Sequence, residues 1–405
     1  MASSCEFRPQ NIYAEQLSPL GHGLPLWHPS PTGCADIHLY DVGRLDEHGF
    51  TRIFNPTFPV DHELNRYHGV PQGHRLLVVD DRLRQMRPQA TGSKVLLSRS
   101  LRHIEADGSS SETGLICNAT DTTGALLLLP EPATQEILLP SPSIANYMRQ
   151  NYRSWLDLAE DRMSLDLRMA DLVFVRGYCK TTEWTVAAFD RSDTYERVGS
   201  GELKLPSMTL SLPPDTVSAY QSGPRLTVGK DGHSLTQPSR SYLYMKPQWS
   251  TSEESVLAPE ETQCVFLNYY KIKARSSEPI GANIISSGRS GIKKARSLSE
   301  SYCPVKYVLD YILQHSNAEV AVAHDGDITI LCEGRAFPGD LTRFLENVAP
   351  AITVDENGMG MLAHNHSTAA EETEAERSRE HTIRILPFHE LSGVDEDPIH
   401  TSRFE

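Results

Sequence analysis

A lysine followed by two threonines, at residues 180–182, is the first group in the sequence that could do chemistry. Nucleotide-binding loops of the form GxxxxGKS or GxxxxGKT hold phosphates with such residues, but they need a glycine directly before the lysine. Cys179 takes that place here, and the following TEWTVAAF has the aromatic and β-branched residues of a strand. We therefore predict no nucleotide site, and instead a hairpin of two strands over residues 171–189 with Trp184 and Phe189 buried.

The segment YDVGRLDEHGF, which contains Asp41, is similar to the ribose-binding segment of acyl-adenylate-forming enzymes. In those enzymes the segment lies late in the chain and a phosphate loop rich in Ser, Thr and Gly precedes it. Here Asp41 lies near the start of the chain, and no such loop occurs in the sequence. We interpret the segment as a β-hairpin with strands near residues 37–42 and 50–54 and the turn at DEHG.

Histidine and aspartate occur together in two places that suggest a metal site. HELNRYH contains His62 and His68, but a zinc-protease helix needs its histidines four residues apart, because a spacing of six turns the second to the opposite face. AHDGD, at residues 323–327, contains the Asp-Gly pair preferred by a type I′ turn, and a hairpin tip alone supplies too few ligands. We predict a two-residue hairpin turn at Asp325–Gly326, and neither a metal site nor a cofactor.

The elements that must position these residues fall into five regions of different composition. The first is rich in Pro, Gly and His, the second has short strand-like runs between turn residues, and the third is a basic linker. A region of helical periodicity and an acidic tail follow. The corresponding ranges are 1–90, 91–287, 288–302, 303–363 and 364–405.

The strand-rich region contains one predicted helix. SPSIANYMRQNYRSWLDLAEDRM places apolar side chains on one stripe at helical spacing, with Ser143 as the N-cap. Its bulky aromatic residues favour core packing over a ligand site. We therefore expect Trp155 to be buried against the strands.

The region 303–363 predicts a small αββα module, that is, helix, hairpin and helix. Pro304 starts the first helix, EVAVAHDGDITIL gives two strands, and DLTRFLENVAP gives a helix that Pro350 cannot continue. A second hairpin fits TVDENGMGML. Residues 368–405 carry ten acidic and four basic residues with little periodicity, which predicts disorder. The predicted fold class is α+β: a mainly antiparallel β core with one amphipathic helix, the helix-hairpin-helix module and a disordered acidic tail.

Charge and cysteine usage limit the function. The chain of 405 residues has 38 basic and 53 acidic residues, and its net charge of −15 disfavours broad binding to nucleic acid or anionic membranes. No stretch is apolar enough to span a bilayer, and the start lacks the pattern of a secretory signal. Seven scattered cysteines without a CxxC pair are typical of a reducing compartment. We predict a cytoplasmic protein without a transmembrane segment or a nucleic-acid partner.

The order of several segments resembles that of a family of uncharacterised proteins from mushroom-forming fungi. The segments are GALLLLPEPA, YRSWLDLAEDR, DLVFVRGYCKTTEWTVAAF, QCVFLNYYKIKAR and VLDYILQHSNAEVAVAHDGDI, and the resemblance covers residues 35–335. This chain has Arg176 and Tyr178 beside Gly177, where that family often has Thr and Cys. The resemblance implies a fungal, intracellular origin and carries over no functional residue.

The lack of an intact catalytic signature favours a non-enzymatic interaction or regulatory protein with an unknown protein partner. The alternative is an enzyme, in the first place a hydrolase whose residues meet only in three dimensions. A pore-forming or membrane-inserting protein is the third hypothesis. A deep pocket with converging His, Asp, Glu or Ser side chains would favour the enzyme.

The linker contains two candidate phosphorylation sites, Ser299 and Ser297. Arg296 lies three residues before Ser299 and two lysines lie further upstream, which is the pattern that basic-directed kinases recognise. A phosphate on Ser299 would add about −1.5 to −2 charges beside these cations. We expect the cations to pair with it and to release an acidic surface, such as the tail beginning near Glu371.

Overall fold

A computed structural model of the chain describes residues 7–29, 36–104, 115–190, 202–205, 208–212, 216–223, 263–275, 301–363 and 384–386. Within these ranges helices and sheets are mixed, so the predicted α+β class is confirmed. The α-helices of these ranges are Pro9–Leu17 (α1), Pro142–Met163 (α2), Pro304–His315 (α3), Gly326–Cys332 (α4) and Leu341–Val348 (α5).

The strands of the described ranges are numbered in chain order. The first ten are Leu24–Pro25 (β1), Val42–Asp46 (β2), Gly49–Phe54 (β3), Leu76–Val78 (β4), Arg84–Arg87 (β5), Val95–Leu97 (β6), Leu101–Ile104 (β7), Leu115–Ala119 (β8), Thr123–Leu128 (β9) and Thr134–Leu138 (β10). The others are Leu172–Thr181 (β11), Trp184–Asp190 (β12), Glu202–Leu205 (β13), Met208–Ser211 (β14), Val217–Gly223 (β15), Gln263–Ala274 (β16), Val320–His324 (β17), Ile352–Val354 (β18), Met359–Leu362 (β19) and Arg384–Leu386 (β20).

A ten-stranded sheet organises the molecule. Its main path is β18-β19-β17-β16-β11-β10-β5; β1 pairs with β16, β2 with β11, and β3 with β2. The central strands β11 and β16 are apolar along most of their length because both faces of the sheet are covered. Two four-stranded sheets, β15-β12-β9-β6 and β13-β14-β8-β7, and the pair β4 and β20 complete the described strands. Among the described strands of all these sheets, β8–β14 and β17–β19 pair in parallel and the other pairs are antiparallel.

Helices cover the two faces of the large sheet. α3 packs on the face that carries Val175, and α2 packs on the face that carries Phe174. The ring of Trp155 lies 6.4 Å from that of Phe174 and its side chain is 1% exposed, which confirms the predicted burial. The N-cap of α2 is Ser141 and not Ser143: the Ser141 hydroxyl accepts the amide of Ser143 at 3.3 Å. Helix α1 was not predicted.

The segment 171–189 forms the two predicted strands, and Trp184 and Phe189 are buried. The strands do not pair with each other, so the predicted hairpin is wrong. β11 lies between β16 and β10 in the large sheet, whereas β12 lies between β9 and β15. Strands that are distant in sequence pair with both edges of β11 and of β12. The short connection between β11 and β12 therefore leads the chain from the large sheet to a four-stranded sheet.

The earlier hairpin is confirmed. β2 and β3 pair antiparallel around the DEHG turn, although the first strand begins at Val42 instead of near Ile37. β18 and β19 form the hairpin that fits TVDENGMGML.

The predicted hairpin turn at Asp325–Gly326 is wrong, and so is the helix-hairpin-helix order of the C-terminal module. β17 ends at His324 and α4 begins at Gly326. Asp325 has helical backbone angles, and the Asp327 carboxylate accepts the amide of His324 at 2.7 Å. Because β17 already pairs with β16 on one side and β19 on the other, the following ITIL has no strand to join there.

Several predictions concern residues outside the described ranges. They include Ser297, Ser299 and the linker up to residue 300, together with most of the acidic tail. Of the tail, residues 384–386 are described, and they pair as β20 with β4.

Candidate binding groove

Lys180, the lysine of the phosphate-loop comparison, is an ion-paired residue of the large sheet. Its Nζ lies 2.5 Å from Oδ2 of Asp36 and 3.9 Å from the centroid of the Tyr178 ring. The carboxylate compensates the charge of the ammonium, and the aromatic face adds a cation–π contact. Only 11% of the Lys180 side chain is exposed. Its contacts therefore explain its position without a bound phosphate.

Asp41 is buried, and its carboxylate connects β3, the residue after β3 and the segment before β2. Its Oδ1 lies 2.8 Å from Nε of Arg52 and accepts Nδ2 of Asn55, and its Oδ2 accepts the amide of His38. Arg52 also lies 2.9 Å from Nδ1 of His38. A guanidinium only donates, so Nδ1 accepts and the proton of the neutral ring is on Nε2. Burial lowers the pKa of His38, which is consistent with the neutral ring.

His62 of the HELNRYH segment and the nearby His74 both have packing contacts. The ring of His62 stacks on Phe58 with centroids 3.8 Å apart, and His74 meets Phe54 edge to face at 5.7 Å. Over the described ranges, no group of three or more His, Cys, Asp or Glu side chains is placed to hold a metal ion.

The residues of AHDGD belong to a buried charge network. Asp325 Oδ1 accepts Nε of Arg176 and the amide of Tyr269, both at 2.9 Å, and Oδ2 accepts Nδ2 of Asn268 at 2.7 Å. Asp325 also lines a cavity of about 20 Å³, which has room for about one water molecule. With both carboxylate oxygens bonded and so little space, the network holds the start of α4 against β11 and β16.

A larger cleft lies next to this cavity, and Phe337 lines both. Its volume of about 660 Å³ is in the range of ligand sites. It lies where α1, the loops that precede β7 and β9, and the beginnings of α3 and α5 meet. This cleft is termed the acidic groove here. Its charged and aromatic lining residues are Glu15, Arg99, Asp121, Tyr302, Tyr307, Phe337 and Asp340.

The acidic groove has three carboxylates and one guanidinium. Glu15, Asp121 and Asp340 are exposed, and within the described part of the chain none of them forms an ion pair. Asp121 and Asp340 each accept a nearby backbone amide, at 2.7 and 3.0 Å, and Asp340 thereby caps α5. Arg99 donates to the carbonyl oxygen of Phe337 at 3.2 Å. These hydrogen bonds orient the carboxylates of Asp121 and Asp340 but do not neutralise their charges.

Aromatic side chains form the other part of the lining. Tyr307 is 39% exposed, and Tyr302 and Phe337 are half-buried. The amide of Tyr302 donates to Oδ1 of Asn11 at 3.3 Å, which fixes the chain at this point on α1. Burial, and next the charge of Glu15, raise the pKa of Tyr302, so its hydroxyl stays protonated. Aromatic faces beside carboxylates are a surface that suits ammonium and guanidinium groups.

No protein family, curated protein or solved structure matches the chain. No helix of the described ranges is long and apolar enough to cross a membrane.

The sequence predictions missed every residue of the acidic groove. Its carboxylates come from three regions of the chain, and no local spacing relates them. One local signal exists: FPGD at residues 337–340 is a turn segment that carries both an aromatic residue and a helix N-cap.

Proposed function

We propose that the protein is a non-enzymatic interaction protein whose acidic groove binds a basic segment of a partner protein. The groove is open and its three carboxylates are exposed, which fits a binding surface better than the deep pocket expected of an enzyme. The observation that carries this proposal is the set of three carboxylates that form no ion pair within the described residues, beside three aromatic side chains, in a cleft of ligand-site volume. Carboxylates form charge-assisted hydrogen bonds with Lys and Arg. Aromatic faces bind the same cations, and the methylene stems of these side chains pack on the rings.

The state of the cysteines supports a compartment for the protein. Cys117, Cys179, Cys264, Cys303 and Cys332 are free, and burial raises the pKa of Cys179 to about 12. Free thiols support the cytoplasmic location proposed from the sequence. Membership of the fungal family stays a prediction, as do the hydrolase and the membrane-inserting protein.

Fluorescence anisotropy with a labelled peptide of alternating Arg and Ser tests the proposal. We expect saturable binding to the full chain that weakens as salt is raised, because the contacts are ionic. The triple variant Glu15→Gln, Asp121→Asn, Asp340→Asn should bind at least tenfold more weakly. These substitutions remove the charges but keep the acceptor oxygens, and Asn caps a helix as well as Asp does.

The matched control changes three exposed carboxylates outside the groove: Asp61→Asn, Glu63→Gln and Glu356→Gln. It has the same net charge as the groove variant, so it separates a local site from attraction by the whole acidic chain. Unchanged affinity in the control is expected. Equal weakening in both triple variants, or no saturable binding, would refute the groove as the binding site.

A further inference from the structure

The acidic groove opens at the point where the described chain resumes after residue 300. Tyr302 lines the groove, and its amide is bonded to Asn11 on α1. The chain that directly precedes Tyr302 therefore starts at the groove. Any segment a few residues upstream has a high local concentration there, because it is tethered to the wall of the site.

The charges of that upstream segment are opposite to those of the groove. Residues 288–300 contain four cations and one carboxylate, Glu300. The cations are Arg289, Lys293, Lys294 and Arg296. The groove contributes three carboxylates and the single guanidinium of Arg99, so the segment and the groove are complementary.

The tether is long enough for the cations to reach the groove. Arg296 precedes Tyr302 by six residues, which span roughly 20 Å when extended. The other end of the interval is attached to β16, which ends at Ala274. Residues 276–287 lie between that end and the basic segment, and they can span up to about 40 Å when extended.

We propose, on the basis of the groove function above, that residues 289–296 of the same chain occupy the acidic groove and compete there with a partner's basic segment. For a groove that binds the free segment at about 100 μM, an effective concentration of about 1 mM would weaken the binding of an external peptide about tenfold. The chain's own segment thus sets the affinity that an external partner must exceed.

The experiment compares three forms of the full chain with one probe, the labelled peptide GRSGIKKARSLSE. The first is the wild type. The second, the neutral-segment variant, carries Arg289→Gln, Lys293→Gln, Lys294→Gln and Arg296→Gln. The third carries the same charge change at four exposed arginines elsewhere: Arg66→Gln, Arg75→Gln, Arg82→Gln and Arg87→Gln. This control is needed because removing any four cations makes an acidic chain more attractive to a basic peptide.

We expect the neutral-segment variant to bind the probe about tenfold more tightly than the wild type, and the control variant to stay within about twofold of the wild type. Adding the groove substitutions Glu15→Gln, Asp121→Asn and Asp340→Asn to the neutral-segment variant should abolish the gain. Equal affinities in the neutral-segment and control variants would overturn occupation by the chain's own segment and leave the proposed function intact. No binding by any form would overturn both.

Discussion

The Arg176 guanidinium lies 2.9 Å from the Asp325 carboxylate, and the two side chains are only 6% and 7% exposed. Burial by itself lowers the pKa of Arg176, but the carboxylate outweighs it and the net shift is upward. Removing one partner leaves the other charged and buried, which costs about 3–5 kcal/mol. We therefore expect Arg176→Met to lower the free energy of unfolding by about that amount in a urea titration.

The control for this prediction is the exposed pair of Lys94 and Glu131, whose side chains are 53% and 75% exposed. Lys94→Met should cost less than about 1 kcal/mol because water screens the pair. Similar losses in the two variants would show that burial does not set the strength of the Arg176 pair.

Two buried tyrosines should respond in opposite ways to loss of the hydroxyl. Among the described residues the Tyr13 hydroxyl has no hydrogen-bond partner, whereas the Tyr270 hydroxyl accepts the amide of Ser141 at the start of α2. An unsatisfied buried hydroxyl costs free energy, so Tyr13→Phe should leave stability unchanged or raise it by about 1 kcal/mol. Tyr270→Phe should lower it by about 1–2 kcal/mol. A larger loss for Tyr13→Phe, measured by thermal unfolding, would contradict the prediction.

Acidification should destabilise the fold through its partly buried histidines. Burial lowers the pKa of His22, His28, His38, His68 and His74 in the folded chain. The unfolded chain therefore takes up protons as the pH falls through about 6.5, while the folded chain takes up fewer. The lowered pKa values of these histidines therefore have no effect on stability above that pH, and they destabilise the folded chain below it.

The measurement is the difference in unfolding free energy between about pH 7.5 and about pH 5.5, for wild type and for His22→Phe. The ring of His22 lies 5.3 Å from Phe266, so phenylalanine fits the contact. The variant lacks the proton uptake of His22, so it should lose less stability on acidification than the wild type. The other titrating groups are present in both proteins and therefore cancel in the comparison. An identical loss would show that His22 does not contribute.

A phosphate on Ser299 should weaken the interaction of residues 289–296 with the acidic groove. It would add about −1.5 to −2 charges next to Arg296, where it competes with Glu15, Asp121 and Asp340 for the cations. We expect the peptide GRSGIKKARSLSE phosphorylated at Ser299 to bind the neutral-segment variant at least tenfold more weakly than the unmodified peptide. In the variant with the groove substitutions added, the two peptides should differ little. Phosphoproteomics of the native protein tests whether Ser299, or Ser297, is modified.

The sequence by itself determined elements whose cause lies within a few residues. Helix α3 begins at Pro304 because the first turn of a helix does not use the amide donor that proline lacks. Helix α2 follows the helical spacing of its apolar residues. The hairpin of β2 and β3 follows from the turn residues DEHG. The burial of Trp155 follows from its place on that apolar stripe. Each of these depends on local backbone preference or on periodicity, which the order of residues contains directly.

Only the tertiary structure decided the partners of these elements and the site between them. Asp325 and Arg176 are 149 residues apart in sequence and form an ion pair in the fold. β16 and β19 occupy both edges of β17. Together these contacts start a helix where the local Asp-Gly signal favours a hairpin turn. β11 and β12 separate into two sheets for a related reason, since distant strands satisfy their backbone groups. The acidic groove joins Glu15, Asp121 and Asp340 from three regions of the chain. No spacing in the sequence relates them, because their proximity is produced by the packing of α1, the β7 and β9 loops and α5, and not by the backbone between them.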